Sequence, residues 1–367
     1  MADRIRVGII GVQPDRSWGA VAHIPALDAL PQYQITAIAN SRQESAEAAA
    51  ARFGVPRAFG DYHDLVTSPE VDLVAVTVKV PHHLELVSAA LDAGKHVYCE
   101  WPLGNGIAEA RTMAALAKKK GVKGAIGLQA RCSPAVRYVA DLIAQGYVGE
   151  VLSTTLVGTG MSWGAQTELP NAYNVDKNNG VTVLTIPVSH SVDALCQVLG
   201  EIDSLAALLA RRRTSAVVAE TGETVAMTAE DQVAFSATLE GGAVASVHYR
   251  GGMSRGTGLL WEINGTEGDI RVSAAGGHLQ IFDAVVEGAG ADDAALQPLP
   301  VPDTYFSTSL RGGPALNVAE AYARLANDLR DGTSTCPTFE DAVVRHQMIE
   351  AIEASAARGA RTRPADY

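Results

Sequence analysis

Near-continuous apolar runs, separated by amphipathic stretches, set the pattern of the first 125 residues. The runs fall at residues 6–11, 33–39, 71–78 and 96–100. They lack strict alternation, which predicts strands buried on both faces. Between them, the alanine-rich stretch 44–53 reads as a helix. Residues 84–94 carry apolar positions at i, i+3, i+4 and i+7 spacing and close on Gly94, a common helix end. Strand–helix–strand repetition of this kind predicts a parallel, doubly wound α/β sheet.

Beyond Gly121 the pattern changes. Residues 124–129 read as a strand and 134–145 as a helix. Partly alternating strands follow at 151–159, 232–239, 243–249, 259–263 and 269–273. Turn glycines such as Gly241-Gly242 separate them, so this half is expected to hold a large, open, mostly antiparallel sheet. Residues 339–357 form a last helix, and 286–296 (VEGAGADDAAL) read as an exposed loop. At about 150 residues per domain the chain suggests two. The expected division is 1–125 for nucleotide binding and 126–367 for substrate binding and self-association. The C-terminal helix is expected to pack back on the first domain.

Composition narrows the function classes. Of 367 residues, 47% are hydrophobic and 19% charged, which argues against disorder. Twenty-nine basic against 41 acidic side chains give a net charge of −12, which repels nucleic-acid phosphates and anionic lipid. No apolar run of about 18 residues stands out, so no membrane span is expected. Met1 to Arg6 lead into a strand without the layout of a signal peptide, which points to the cytoplasm. Cys99, Cys132, Cys196 and Cys336 lie far apart with no zinc or CxxC spacing, so reduced thiols and no metal site are expected.

The first βα turn runs Gly11-Val12-Gln13-Pro14-Asp15-Arg16-Ser17-Trp18-Gly19-Ala20. A dinucleotide site wants glycines here, so that backbone N–H groups can approach the pyrophosphate. Gly11 and Gly19 are present, but Gln13 stands at the second glycine position and the loop is several residues longer than G-x-G-x-x-G. After the second strand, where an Asp or Glu would bind the adenosine ribose, the chain offers Asn40-Ser41-Arg42. Asn40 suits ribose hydroxyls, while Ser41 and Arg42 suit a 2′-phosphate, so NAD and NADP both remain open. Thr77 and Lys79 close the third strand, where ligands of doubly wound sheets collect.

The run Ala93-Gly94-Lys95-His96-Val97-Tyr98-Cys99-Glu100-Trp101-Pro102-Leu103 resembles the signature AGKHVxxEKP of the glucose–fructose oxidoreductase/inositol dehydrogenase (Gfo/Idh/MocA) family. Further resemblances follow in order at 128–134, 146–150, 190–193, 263–268 and 349–355, spanning nearly the whole chain. The extended 11–19 loop, the Glu-Trp pair, and Asn179-Gly180-Val181 ahead of His190 look nearest to the branch that contains the fungal galactose-regulon repressor, a nucleotide-binding transcriptional inhibitor without catalysis. The resemblance implies a Rossmann domain, a second α/β domain with an open sheet, and homodimers or homotetramers. It implies hydride exchange between a nicotinamide and a carbinol carbon of a sugar or polyol.

In the family's EKP motif, Glu and Pro help set the cofactor site and Lys assists proton transfer. Here Glu100 and Pro102 match, but Trp101 stands at the lysine position. Ile186 replaces the usual Asp four residues before the histidine and Val188 the usual Gly, leaving only His190 and Asp193. A replacement base is therefore needed. His190 is the first candidate, with Asp193 one turn later to orient it, and Lys177 is the second. The resemblance places His83 near the nicotinamide. Gln129 and Arg131 are expected to line the cofactor and substrate cleft. Trp18, Trp101 and Trp163 could stack on nicotinamide or sugar rings, and Tyr173 and Arg255 are further substrate candidates. Tyr249 and Arg250 read as part of a solvated hairpin.

Three functions fit these residues. The first is a dehydrogenase taking a hydride, often from C3, of a sugar or glycoside onto NAD(P)⁺. The second is a redox-neutral, NAD-dependent glycosidase working through a 3-keto intermediate, elimination and water addition. The cations Lys177, Arg131, Arg250 and Arg255 would suit an anionic sugar such as a uronate or sulfonated glucoside. The third is a non-catalytic, NAD(P)-responsive regulator.

Overall fold

The computed structural model describes residues 4–367; Met1-Ala2-Asp3, and the part of the N-terminal expectation that rests on them, lie outside the described residues. The chain divides into two compact units, residues 4–132 with 306–343 and residues 133–305 with 344–367.

In the first unit six parallel strands lie in the order β3-β2-β1-β4-β5-β6. They are β1 (Ile5–Ile10), β2 (Tyr33–Ala39), β3 (Arg57–Phe59), β4 (Leu73–Val76), β5 (His96–Glu100) and β6 (Gly124–Gly127). The continuous apolar runs arise because the inner strands are covered on both sides: all four residues of β4 are buried. The order reverses between β1 and β4, and ligands of such sheets bind beyond the strand ends at that reversal. One core cluster joins Val7, Ile9, Ile38, Leu73 and Tyr98 to Val318, Tyr322 and Leu325 of a long helix, Pro314–Asp331. The apolar pattern did not predict that helix, whose buried side mixes alanines with the polar Asn317, Glu320 and Asp328.

The second unit carries an eight-stranded sheet of order β17-β16-β15-β14-β7-β13-β12-β9, and a three-stranded one of order β11-β10-β8. In chain order the strands are β7 (Val151–Thr159), β8 (Gln166–Thr167), β9 (Ile202–Ala210), β10 (Ser215–Val218), β11 (Thr224–Ala226), β12 (Gln232–Leu239), β13 (Val244–Arg250), β14 (Leu259–Gly265), β15 (Gly268–Ala274), β16 (Val285–Gly290) and β17 (Gln297–Pro298). The large sheet is antiparallel except at its centre, where β7 and β13 run parallel. One face buries Leu156, Trp261, Val247 and Phe235. The other leaves Leu208, Val244 and Val285 exposed.

Two expectations are corrected. Residues 286–296 are not simply a loop: β16 occupies 285–290 and pairs with β15 through Val272↔Val286. The strand expected at 124–129 ends at Gly127, and Gln129–Cys132 is a 3-10 turn. One helical stretch, Lys177–Leu199, is long and apolar enough to span a membrane by length and composition, although 78% of it is buried inside the fold, as in a core helix.

Candidate cofactor groove and a buried histidine cluster

Within the first unit a groove of about 850 Å³ opens beyond the carboxyl ends of β1, β2 and β4. That volume lies in the roughly 300–1,000 Å³ range of cofactor and ligand sites. Gly11, Gln13, Asn40, Ser41, Arg42 and Lys79 all line it. Gly11 has φ +99°, and a Cβ there would sit 2.5 Å from Val78 Cγ1, so this turn favours glycine on both backbone and steric grounds. The groove also takes His82, together with Asp61, Tyr62 and Glu85, which sequence reasoning missed. They come from two different crossovers, and only the sheet order brings them to Gly11.

Asn40 has a different task from the one expected. Its Oδ1 accepts the Val12 N–H at 2.9 Å, and its Nδ2 donates to the Val12 carbonyl at 2.8 Å and the Ser45 carbonyl at 3.0 Å. The side chain thus clamps the βα loop, and Ser41 and Arg42 line the groove beside it. The loop closes further through Ser17, whose Oγ accepts the Gln13 N–H at 2.8 Å. Thr77 lies outside the groove lining, buried, and donates to the Ile10 and Gly11 carbonyls at 3.0 and 3.2 Å. Trp18 packs against the core, with its Nε1 buried and unpartnered among the described residues.

His83 is a structural tie. Its Nδ1 lies 2.8 Å from the Pro102 carbonyl and its Nε2 3.0 Å from that of Val78, and burial pushes its pKa down. Its neighbour His82 lines the groove instead. The Trp101-Pro102 peptide is cis, and Trp101 is buried. Glu100 ends β5 with its carboxylate 2.9 Å from His23 Nε2. Gln129 is buried with its Oε1 unpartnered among the described residues, and Arg131 pairs with Asp341 at 2.9 Å.

The second unit holds His190, Lys177, Asp193, Trp163, Tyr173 and Arg255. His190 follows a π-helical turn, Leu184–Val188, and such turns are rare and often functional. It is buried, its Nδ1 is unpartnered among the described residues, and burial with the neighbouring His278 pushes its pKa down to about 3. It is therefore a neutral ring at physiological pH. His278, which no local motif marks, is also buried and pushed down to about 4 by desolvation. Its Nε2 accepts the Met161 N–H at 3.2 Å, and Gln280 lies 3.2 Å from its Nδ1.

Asp193 does not take up the expected place beside His190. It faces the buried Arg345, whose Nε lies 3.4 Å away, because an unpaired guanidinium there would be costly. Trp163 is buried with φ +62°, and its Nε1 donates to the Asn174 carbonyl at 2.8 Å, so stacking on a ligand would require it to leave this seat. Tyr249 is not part of a solvated hairpin: it is fully buried and its hydroxyl donates to the Gly277 carbonyl at 3.1 Å. Arg250 donates to Ser254 Oγ and the Thr257 carbonyl. Tyr173 is half-buried, and Lys177 and Arg255 are exposed.

Residues 5–128 match the profile of the oxidoreductase family with an NAD-binding Rossmann fold. Dehydrogenase AclE of Aspergillus oryzae is 31% identical over 98% of this chain and 98% of its own length. The chain belongs to the Gfo/Idh/MocA oxidoreductase family. Residues 134–274 match the C-terminal domain of Gal80p. Levoglucosan dehydrogenase of Pseudarthrobacter phenanthrenivorans is 28% identical over 72% of this chain and 73% of its own. A super-repressor variant of Gal80p from Saccharomyces cerevisiae superposes with a TM-score of 0.89 at 24% identity, covering 98% of this chain and 97% of that one. The family thus includes both dehydrogenases and a regulator. The groove at the strand reversal and the Gly11 turn fit the NAD-binding role of the first unit.

Proposed function

We propose that the chain is an NAD(P)-dependent oxidoreductase that takes a hydride from a ring carbon, C3, of a sugar or sugar glycoside. The carrying observation is the groove beyond β1, β2 and β4, lined by Gly11, Ser41, Arg42 and Lys79, in a chain that counts a dehydrogenase among its full-length relatives. Levoglucosan dehydrogenase among its relatives supports a sugar substrate. Bound in the groove, NAD(P)⁺ supplies the hydride acceptor. Ser41 and Arg42 hold its adenosine end, and the Gly11–Ser17 loop, braced by Asn40, keeps its shape. His190, neutral and with its Nδ1 unpartnered among the described residues, accepts the proton of the substrate hydroxyl, the task for which Trp101 has no group. Burial lowers its basicity, so the substrate O–H must be close and well aligned. Four buried cysteines, in no disulfide among the described residues, fit a reducing compartment, the cytoplasm.

A second reading, a nucleotide-responsive regulator, is favoured by the Gal80p match over 134–274 and by Trp101 at the lysine position. A panel of sugars and glycosides, assayed with and without added NAD⁺ and NADP⁺, separates the readings. Accumulation of reduced nicotinamide supports the dehydrogenase. Aglycone release without it supports the redox-neutral glycosidase. Tight cofactor binding without turnover on any sugar supports the regulator.

A further inference from the structure

One buried group in the first unit has no part in the cofactor chemistry described so far. His23 ends a π-helical turn, Gly19–His23, and its side chain is fully buried. Its Nε2 lies 2.9 Å from Glu100 Oε1 and its Nδ1 2.8 Å from the Tyr322 hydroxyl. The Tyr98 ring meets it edge-on at 5.4 Å. Tyr322 stacks on Tyr98 at 4.6 Å, and its carbonyl accepts the Tyr33 hydroxyl at 2.8 Å. Aromatic rings therefore fix the imidazole, and only its two nitrogens have polar work.

The proton order along this chain follows from chemistry. Burial pushes the Tyr322 phenol well above its ordinary value, so it keeps its proton and donates to Nδ1. The imidazole is left with its hydrogen on Nε2, aimed at Glu100. Glu100 is constrained from the other side by Gly127, where a Cβ would sit 2.8 Å from Oε1. Its carboxylate is 13% exposed, and among the described residues its hydrogen-bond partner is His23. The adjacent position is Trp101, which offers no cation.

Resting on the cofactor reading above, we propose that His23 is a positioning residue that holds Glu100 in place, through its Nε2–H, at the nicotinamide end of the cofactor site. In a sheet ordered 3-2-1-4-5-6, the adenosine half of a dinucleotide lies over β1 and β2. The end of β5, where Glu100 stands, serves the other half. His23 therefore matters for the nicotinamide end and not for the adenosine end.

Calorimetric titration with NADH and with ADP-ribose tests this on the full chain. The wild type, His23→Leu, His23→Gln, Glu100→Gln and the His23→Leu/Glu100→Gln double variant are compared. Loss of a charge-assisted bond to a carboxylate should weaken NADH binding by roughly tenfold or more in His23→Leu. ADP-ribose binding should stay within about twofold. His23→Gln, whose amide nitrogen reaches the place of Nε2, should recover most of the loss. The double variant should bind NADH no more weakly than Glu100→Gln alone, because the two groups act as one. NADH affinity unchanged in His23→Leu overturns the assignment. So does equal weakening of NADH and ADP-ribose across both His23 variants, the mark of a merely structural role. A wild type that binds neither ligand overturns the cofactor reading itself.

Discussion

Lowering the pH from 7 to 5 should destabilise the second unit far more than the carboxylates alone could. His190, His278 and His346 are buried there, with pKa values pushed down to about 3, about 4 and about 4, chiefly by desolvation. Unfolded, each titrates near 6.5, so between that value and its folded pKa the unfolded chain binds more protons. Stability is fully present above 6.5 and falls as the pH drops towards the folded values. Between pH 7 and 5 each histidine costs about 2 kcal/mol, together about 5–6 kcal/mol. Glu353 works the other way. Burial and the nearby Glu350 and Glu230 raise it to about 6, so the folded state binds its proton first and gains about 1 kcal/mol over the same range. The net loss of about 4–5 kcal/mol is a large part of the about 5–15 kcal/mol that holds a typical domain together. Urea unfolding at pH 7, 6 and 5, with hydrogen exchange to locate the transition in residues 133–305 and 344–367, measures it. His278→Gln should reduce the fall by about 2 kcal/mol. A urea midpoint level across this range would refute the assignment of three neutral, buried rings.

Other expected outcomes are simpler to state. His190→Ala should lower turnover on the true substrate by about 10²-fold or more while cofactor affinity holds, and Trp101→Lys should not raise it; wild-type turnover in His190→Ala would pass the base role to Lys177 or Lys79. Light scattering should show a dimer or tetramer, because an open sheet must cover the face that exposes Leu208 and Val244, and Leu208→Lys should weaken it; a 38 kDa monomer at micromolar concentration rules this out. Arg42→Ala should weaken NADPH more than NADH, read by calorimetry, since a guanidinium suits a 2′-phosphate better than a ribose hydroxyl; equal weakening removes Arg42 from cofactor choice.

The parallel sheet was legible because burial on both faces writes itself into unbroken runs such as Leu73–Val76. β9 was not, since Ile202–Ala210 is rich in alanine and leucine, and only the ladder with β12 makes it a strand. The parallel pairing of β7 with β13 joins segments some 90 residues apart and leaves no local mark. For the site, the turn glycine and the Asn40–Arg42 segment could be read in sequence. The internal use of Asn40 could not, because it depends on where the Val12 amide ends up. His23 and His278 are single polar residues in otherwise unremarkable segments. Their meaning comes from partners hundreds of positions away, as with Tyr322, or from a loop folded back on Met161.

The most direct test of hydride transfer uses glycosides and sugars deuterated at C3. The protein is incubated with NAD⁺ or NADP⁺ and such a panel, and the nicotinamide is analysed by mass spectrometry. The account predicts reduced cofactor one mass unit heavier with at least one member of the panel. Cofactor that stays unlabelled with every member, in protein shown to bind it, would contradict the account.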